Sequence, residues 1–235
     1  AVASTVSVAD AAAVAAKVSE LTNQLGQAAM NQIAVGQTET LSSVDSSGKG
    51  AEIALAKLDL GAVISAGISV GGLALPGDAF SGNASGNASG NTSGNDSGGA
   101  SARRLLTATC DIIGVQQTDW LGSNPHAWAA FLPQKGYNRY VSRSADVKVV
   151  QVNKCDTAIT FTGLATPIEI GLQLPVGTQA EVDVGIRYVP HCAFFDENLQ
   201  AWTMDGVELK EPIDTVTGQV TCLATHGGGS FTAFM

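Results

Sequence analysis

From about Ala108 onward the chain is a succession of short apolar segments cut apart by turn residues. Period-two alternation predicts strands near Ala108–Gln116, Asp146–Lys154, Ala158–Thr162, Ile168–Leu174, Val182–Val189, Ala201–Met204, Gln219–Leu223 and Ser230–Met235. Pro175-Val176-Gly177-Thr178 and Asp205-Gly206 stand between them as turn signals. Strands this short bury their apolar faces only by stacking sheet on sheet. The expected fold is therefore mainly β, a β-sandwich. With 45% apolar and 14% charged residues over 235 positions, the chain has ample material for a core.

The amino-terminal stretch obeys a different period. Residues 1–36 are alanine-rich and free of proline, and Val6, Val14, Val18, Leu21, Leu25 and Ile33 recur at helical spacings. Asp10, Lys17, Glu20, Asn23 and Gln24 fall on other faces. One or two amphipathic helices ending near Gly36 are expected, with the apolar stripe packed on the rest of the domain. Strands begin at Gln37. Ile53, Leu55, Lys57 and Asp59 alternate with Ala54, Ala56, Leu58 and Leu60 as a partly buried strand. Ile64–Leu75, glycine-interrupted and followed by Pro76, suits a hairpin or an edge. The expected organisation is a helical segment over 1–36 and a sandwich over 37–235.

Residues 80–101 interrupt that sandwich as an insertion loop, because a long stretch without secondary structure does not belong in a compact core. The tract repeats an Asn-x-Ser/Thr sequon every four residues, at Asn83, Asn87, Asn91 and Asn95. These are the expected N-glycosylation sites, and they imply a lumenal or extracellular location. The bland alternative is a plain Gly/Ser/Asn linker. Arg103-Arg104, just beyond, reads as a protease processing site or as solvated charge.

A net charge of −9 argues against nucleic acid and against anionic membrane surfaces. No apolar run reaches the length a bilayer demands. The start lacks the basic region of a secretory leader, as expected if a leader has been removed or the chain is a piece of a longer one.

Four cysteines fit an oxidising compartment. Three pairings are possible in principle, and order and context favour Cys110–Cys155 with Cys192–Cys222. The rival is a zinc site at His191, Cys192, Cys222 and His226. It lacks any Cys-x-x-Cys or His-x-x-x-His spacing, so no metal is expected. No phosphate loop or Ser/His/Asp order appears either, and no cofactor is expected.

The segment from His191 to Met235 carries the most specific pattern. Cys192 is followed by the aromatic–acidic step Phe194-Phe195-Asp196-Glu197, then Trp202, Asp205-Gly206, Cys222, His226 and an apolar run. This layout resembles the GPS motif that closes the GAIN domain of adhesion receptors and polycystin-like proteins. Val207 and Ala224 stand where the family has its second and fourth cysteines, which pair with each other. Cys192 and Cys222 match the first and third, and the resemblance implies their pairing too. The helical start, the step Leu73-Ala74-Leu75-Pro76 and the strand-rich half resemble the rest of a GAIN domain. The sandwich would then correspond to its second subdomain, and residues 1–36 to a remnant of its helical one.

In that family a histidine serves as base toward a threonine two residues on, whose hydroxyl attacks the preceding carbonyl in an N-to-O acyl shift. His226 matches the base, but Gly227 and Gly228 replace the leucine and the threonine. The nearest downstream hydroxyl is Ser230, so any cleavage would fall at Gly229–Ser230 with His226 as base. Three glycines also relax the strain that primes such a bond. The expectation is a non-catalytic, uncleaved ectodomain, with autoproteolysis or a secreted fibre or wall glycoprotein as alternatives. The resemblance implies a membrane helix after Met235, extracellular glycoproteins or a channel subunit as partners, and a ciliary or flagellar surface.

Two aromatic clusters remain. Trp120, Trp128 and Phe131, around Gly122–His126, read as an aromatic binding loop or as a plug at the end of the sandwich. Tyr137-Asn138-Arg139-Tyr140-Val141-Ser142-Arg143 reads as an acidic-sugar site or as a solvated turn.

Overall fold

Residues Gly50–Asp59 (β2) are apolar on both faces, and this makes the molecule more than two layers thick. Ile53 and Leu55 point to one side and Ala54 and Ala56 to the other, all at most 5% exposed. The computed structural model describes residues 7–81, 110–132, 146–155, 157–174, 190–211 and 218–234. Over these residues the chain forms two sheets and three helices.

The first sheet contains β1 (Gln37–Val44), β2, β5 (Ile112–Leu121), β7 (Val147–Lys154), β14 (Gly229–Phe234), β10 (His191–Asp196), β11 (Ala201–Thr203) and β6 (Ala130–Phe131), in that spatial order. A short β8 (Thr157–Ile159) joins β7 on the edge that β14 also uses. The second sheet runs β12 (Val207–Leu209), β13 (Gln219–Ala224), β9 (Ile168–Gln173), β4 (Leu73–Leu75), β3 (Ile68–Val70). Pairing is antiparallel throughout except for the two-residue β6–β11 contact. The architecture is a β-sandwich with a helix at its start.

Between the sheets lies the main core, with Ala56, Val115, Leu73, Ile170, Cys222, Phe231 and Ala233 fully buried. Cys192 of β10 is bonded to Cys222 of β13, so a covalent link crosses this core from sheet to sheet. A second disulfide, Cys110–Cys155, ties the entry to β5 to the turn after β7. These are the two pairings read from the sequence.

The outer face of the first sheet is covered in two places. Helix α1 (Val8–Met30), capped by Ser7 accepting from the Asp10 amide, lies across β2 and β5. Its buried face is not the predicted stripe. Ala15, Gly26 and Met30 face the sheet, whereas Val14, Val18, Leu21 and Leu25 are 63%, 36%, 55% and 55% exposed. Close approach decides this: a Cβ on Gly26 would stand 2.0 Å from Oε1 of the fully buried Gln116, so only the small-residue face lets the helix settle.

Second, residues 122–132 cross β10 and β11. Under them Val147, Ala193, Phe195, Trp202 and Phe234 form a separate apolar cluster, with Trp120 and Trp128 packed against it. These tryptophans therefore cover the outer face of a sheet, and the expectation that they plug the end of the sandwich is corrected.

Leu60–Ala66 is helical (α2), capped by Asp59, whose Oδ1 accepts from the Ala62 amide. The extended reading of Ile64–Leu75 thus holds only from Ile68, where β3 and β4 form a hairpin through Gly71-Gly72, both at positive φ. A short α3 (Asp78–Ser81) follows. The expected strand at Val182–Val189 and residues 82–101 of the expected insertion loop lie outside the described residues, whereas its first two residues, Phe80 and Ser81, are helical, and Phe80 packs on Phe161.

Candidate functional site: the glycine turn before the last strand

The segment joining β13 to β14, Thr225–Gly228, is where the resemblance places the family's proteolysis site, expected here to be uncleaved. Gly227 forms a two-way backbone bridge with Phe161, with N···O distances of 3.2 and 3.0 Å. A Cβ on Gly227 would come within 2.4 Å of the Phe161 ring and 2.8 Å of Ile168 Cδ1, and one on Gly229 within 2.6 Å of Phe194. A Cβ on Gly228 would meet nothing closer than Thr160 Cγ2 at 3.8 Å, but its φ is 92°. Two of the three glycines therefore admit neighbouring rings, and the middle one turns the chain.

His226 sits against aromatic rings. Its imidazole meets Phe194 edge-on at 4.2 Å and lies nearly parallel to Phe231 at 5.9 Å. Nε2 is buried with no hydrogen-bond partner among the described residues. Burial lowers its pKa, partly opposed by the Asp196 carboxylate.

Ser230 begins the regular part of β14, opposite Val149 of β7, and is 7% exposed. Alternation along the strand puts Phe231 into the inter-sheet core and Ser230 on the outer face. The structure consequently does not bring Ser230 to His226, which packs on Phe231. Ser230 Oγ instead lies 3.1 Å from Nε2 of His126. That imidazole is stacked on Phe195 at 3.9 Å and 17°, with Trp202 and Trp128 edge-on at 5.7 and 6.3 Å. Burial lowers its pKa to about 4, so it is neutral at physiological pH. Its Nδ1 has no hydrogen-bond partner among the described residues.

A cleft of about 400 Å³ opens beside the turn, lined by Gly228, Gly229, Gln151, Phe194, Asp196 and, from α1, Asn23 among others. A second, of about 350 Å³, lies at one end of the sandwich. There Lys148 Nζ reaches Asp119 Oδ2 at 2.7 Å and the Gly71 carbonyl at 2.8 Å, while Gln117 donates to Asp119 Oδ1 at 2.7 Å. This buried pair clamps the β3–β4 hairpin to the first sheet. Desolvation raises the Asp119 pKa, with Lys148 opposing.

Of the remaining candidates, Cys192 and Cys222 have their sulfurs bonded to each other, so they and His191 and His226 form no zinc site. The described residues contain no cluster of three metal-ligating side chains. Asn83, Asn87, Asn91, Asn95, Arg103-Arg104 and Tyr137–Arg143 lie outside the described residues. The roles of His126 and Phe161 were not foreseen, and no local signal marks either, since His126 is 104 positions from Ser230.

No family profile matches the chain, and no curated protein matches it. Among solved structures the chain is similar to the full extracellular region of zebrafish Gpr126/Adgrg6, at TM-score 0.43 and 15% identity, over 83% of this chain. The chain spans about a quarter of that region, 23% of its length.

Proposed function

We propose that this is a non-catalytic extracellular module, a GAIN-like domain that stays uncleaved and carries load between the exterior and a membrane segment beyond Met235. The observation that carries the reading is the placement of the last strand. β14 is hydrogen-bonded on both sides, to β7 and β10, and β10 is bonded through Cys192–Cys222 to the opposite sheet. Tension applied beyond Phe234 would load two ladders and, through β10, a covalent cross-link. The turn before it has no hydroxyl at Gly228, and His226 and Ser230 lie on opposite faces.

Two disulfides with no free cysteine support an oxidising, extracellular setting. The resemblance to polycystin-like ectodomains adds a ciliary or flagellar surface, with extracellular glycoproteins or a channel subunit as partners.

One observation favours a second reading, self-cleavage at Gly229–Ser230: the 3.1 Å contact between Ser230 Oγ and a neutral His126. Against it, the Ser230 amide sits in a regular ladder, and among the described residues no carboxylate orients His126. Reducing electrophoresis of the deglycosylated full-length protein separates the two. A single band supports the load-bearing reading; a small fragment beginning at Ser230, abolished by Ser230→Ala, overturns it.

A further inference from the structure

The two disulfides differ in what can reach them. Cys192 and Cys222 are 2% and 0% exposed, sealed between the sheets. Cys110 is exposed and Cys155 half-buried, and both line a cleft of about 170 Å³ beside the last turn of α1.

Three features of that cleft favour opening the bond. Lys57 is the one charged side chain among the lining residues, and its Nζ donates to the Met30 carbonyl at 3.2 Å. An ammonium near a sulfur stabilises a thiolate there. Asn153 is buried and lines the same cleft, and its Nδ2 has no hydrogen-bond partner among the described residues. It offers a donor to the same thiolate. Cys155 itself sits at φ 58°, a left-handed backbone that side chains other than glycine's disfavour. Its amide bonds to the Ile112 carbonyl at 2.9 Å, so backbone and sulfur together hold this turn.

We propose that Cys110–Cys155 is a thiol–disulfide exchange site, opened in the folded protein by a dithiol reductant while Cys192–Cys222 stays closed. A thiolate of the reductant attacks Sγ of the exposed Cys110, and Cys155 leaves as a thiolate into the cleft that holds Lys57 and Asn153. The reductant's second thiolate then attacks its own sulfur in the mixed disulfide, and Cys110 leaves. The reductant departs as a disulfide, two electrons pass to the protein, and the two protons it gave up end on the new thiols.

The structural consequence is local. Opening the bond frees the start of β5 from the turn between β7 and β8, next to the last turn of α1. The β5–β7 ladder and the inter-sheet disulfide remain.

Timed alkylation of the intact, oxidised protein in dithiothreitol without denaturant tests the proposal, with each cysteine followed by peptide mass. Cys110 and Cys155 should be labelled at least about tenfold faster than Cys192 and Cys222. Labelling of all four together, or of Cys192 and Cys222 first, overturns the proposal, because exchange would then wait for global unfolding. So does a chain whose four cysteines stay unlabelled until urea unfolds it. Lys57→Gln should slow opening of Cys110–Cys155 about threefold, whereas Lys57→Arg keeps the charge and the rate. Destabilisation would speed reduction, so slowing reports the cleft itself. A rate unchanged by Lys57→Gln, or slowed equally by Lys57→Arg, overturns the assisted departure of Cys155.

Discussion

Ser230 Oγ and His126 Nε2 are 3.1 Å apart across 104 residues of sequence, and this contact faces away from His226. It fastens the start of β14 to the segment 122–132 that roofs the aromatic cluster. The histidine nearer in sequence serves the other face, wedged between Phe194 and Phe231.

The glycines around this turn should differ in tolerance. Gly227→Ala drives a methyl to within 2.4 Å of Phe161 and should cost about 1–3 kcal/mol through overpacking. Gly228→Ala meets nothing closer than 3.8 Å and should cost about 1 kcal/mol, from its positive φ alone. Urea denaturation of the two variants ranks them; the reverse order would contradict the ring contacts described.

Acid should weaken the fold through His126. Its pKa falls from the usual 6.5 to about 4 on folding, so between these values the unfolded chain binds more protons than the folded one. The stabilisation is complete above about pH 6.5 and is lost as pH drops through about 4. Burial depresses His191 and His226 in the same direction. Thermal melts across this window should show Tm declining with acid, and His126→Phe should flatten part of the slope. An unchanged slope in that variant would assign the effect elsewhere.

Removing the inter-sheet disulfide should be costly. With its cysteines 30 positions apart, Cys192→Ala/Cys222→Ala should lose about 3–4 kcal/mol from the freed unfolded chain. Both positions are at most 2% exposed, so truncation also leaves a gap in the core. Chemical denaturation of the oxidised variant against wild type measures the sum, and a loss under 1 kcal/mol, a margin chosen on the order of the scale for single interactions, would contradict it.

The clamp at the end of the sandwich makes an asymmetric prediction. Lys148 and Asp119 side chains are only 10% and 18% exposed. Lys148→Met strands a buried carboxylate and should destabilise by about 3 kcal/mol. Lys148→Met/Asp119→Leu should recover much of that, because no charge is then left unpaired. A double-mutant cycle reads the difference directly; additive losses would mean that the two groups do not act as a pair.

Local periodicity made the sandwich legible. β7, β9, β13 and β14 begin and end within about two residues of the expected strands, as alternation is a property of each strand by itself. The helix at the start was equally legible, but its buried face was not. Hydrophobic count pointed to Val14, Val18, Leu21 and Leu25, while packing selected the face where Gly26 meets Gln116. Ile64 is β-branched and read as the start of an extended stretch, yet the Asp59 cap and burial of the neighbouring Val63 made it helical. Lys148 sat in an expected strand and Asp119 just beyond the expected end of another, and nothing near them in sequence marks them as inward-facing. The contact of Ser230 with His126 depends on how the whole sheet closes, so no window of sequence contains it.

The position of β14 also sets an order of assembly. Within the first sheet it lies between β7 and β10, so the strands on either side meet only through it. It is also the most carboxy-terminal of all the described strands. During synthesis the two half-sheets must therefore wait, each with an unpaired edge, until residues 229–234 have left the ribosome. Their pairing partners, Lys148–Val150 and His191–Phe194, lie far back in the chain, the kind of non-local closure that folds slowly. A nascent chain paused before Gly229 would present two open edges to its surroundings, and that interval is when a chaperone has most to protect.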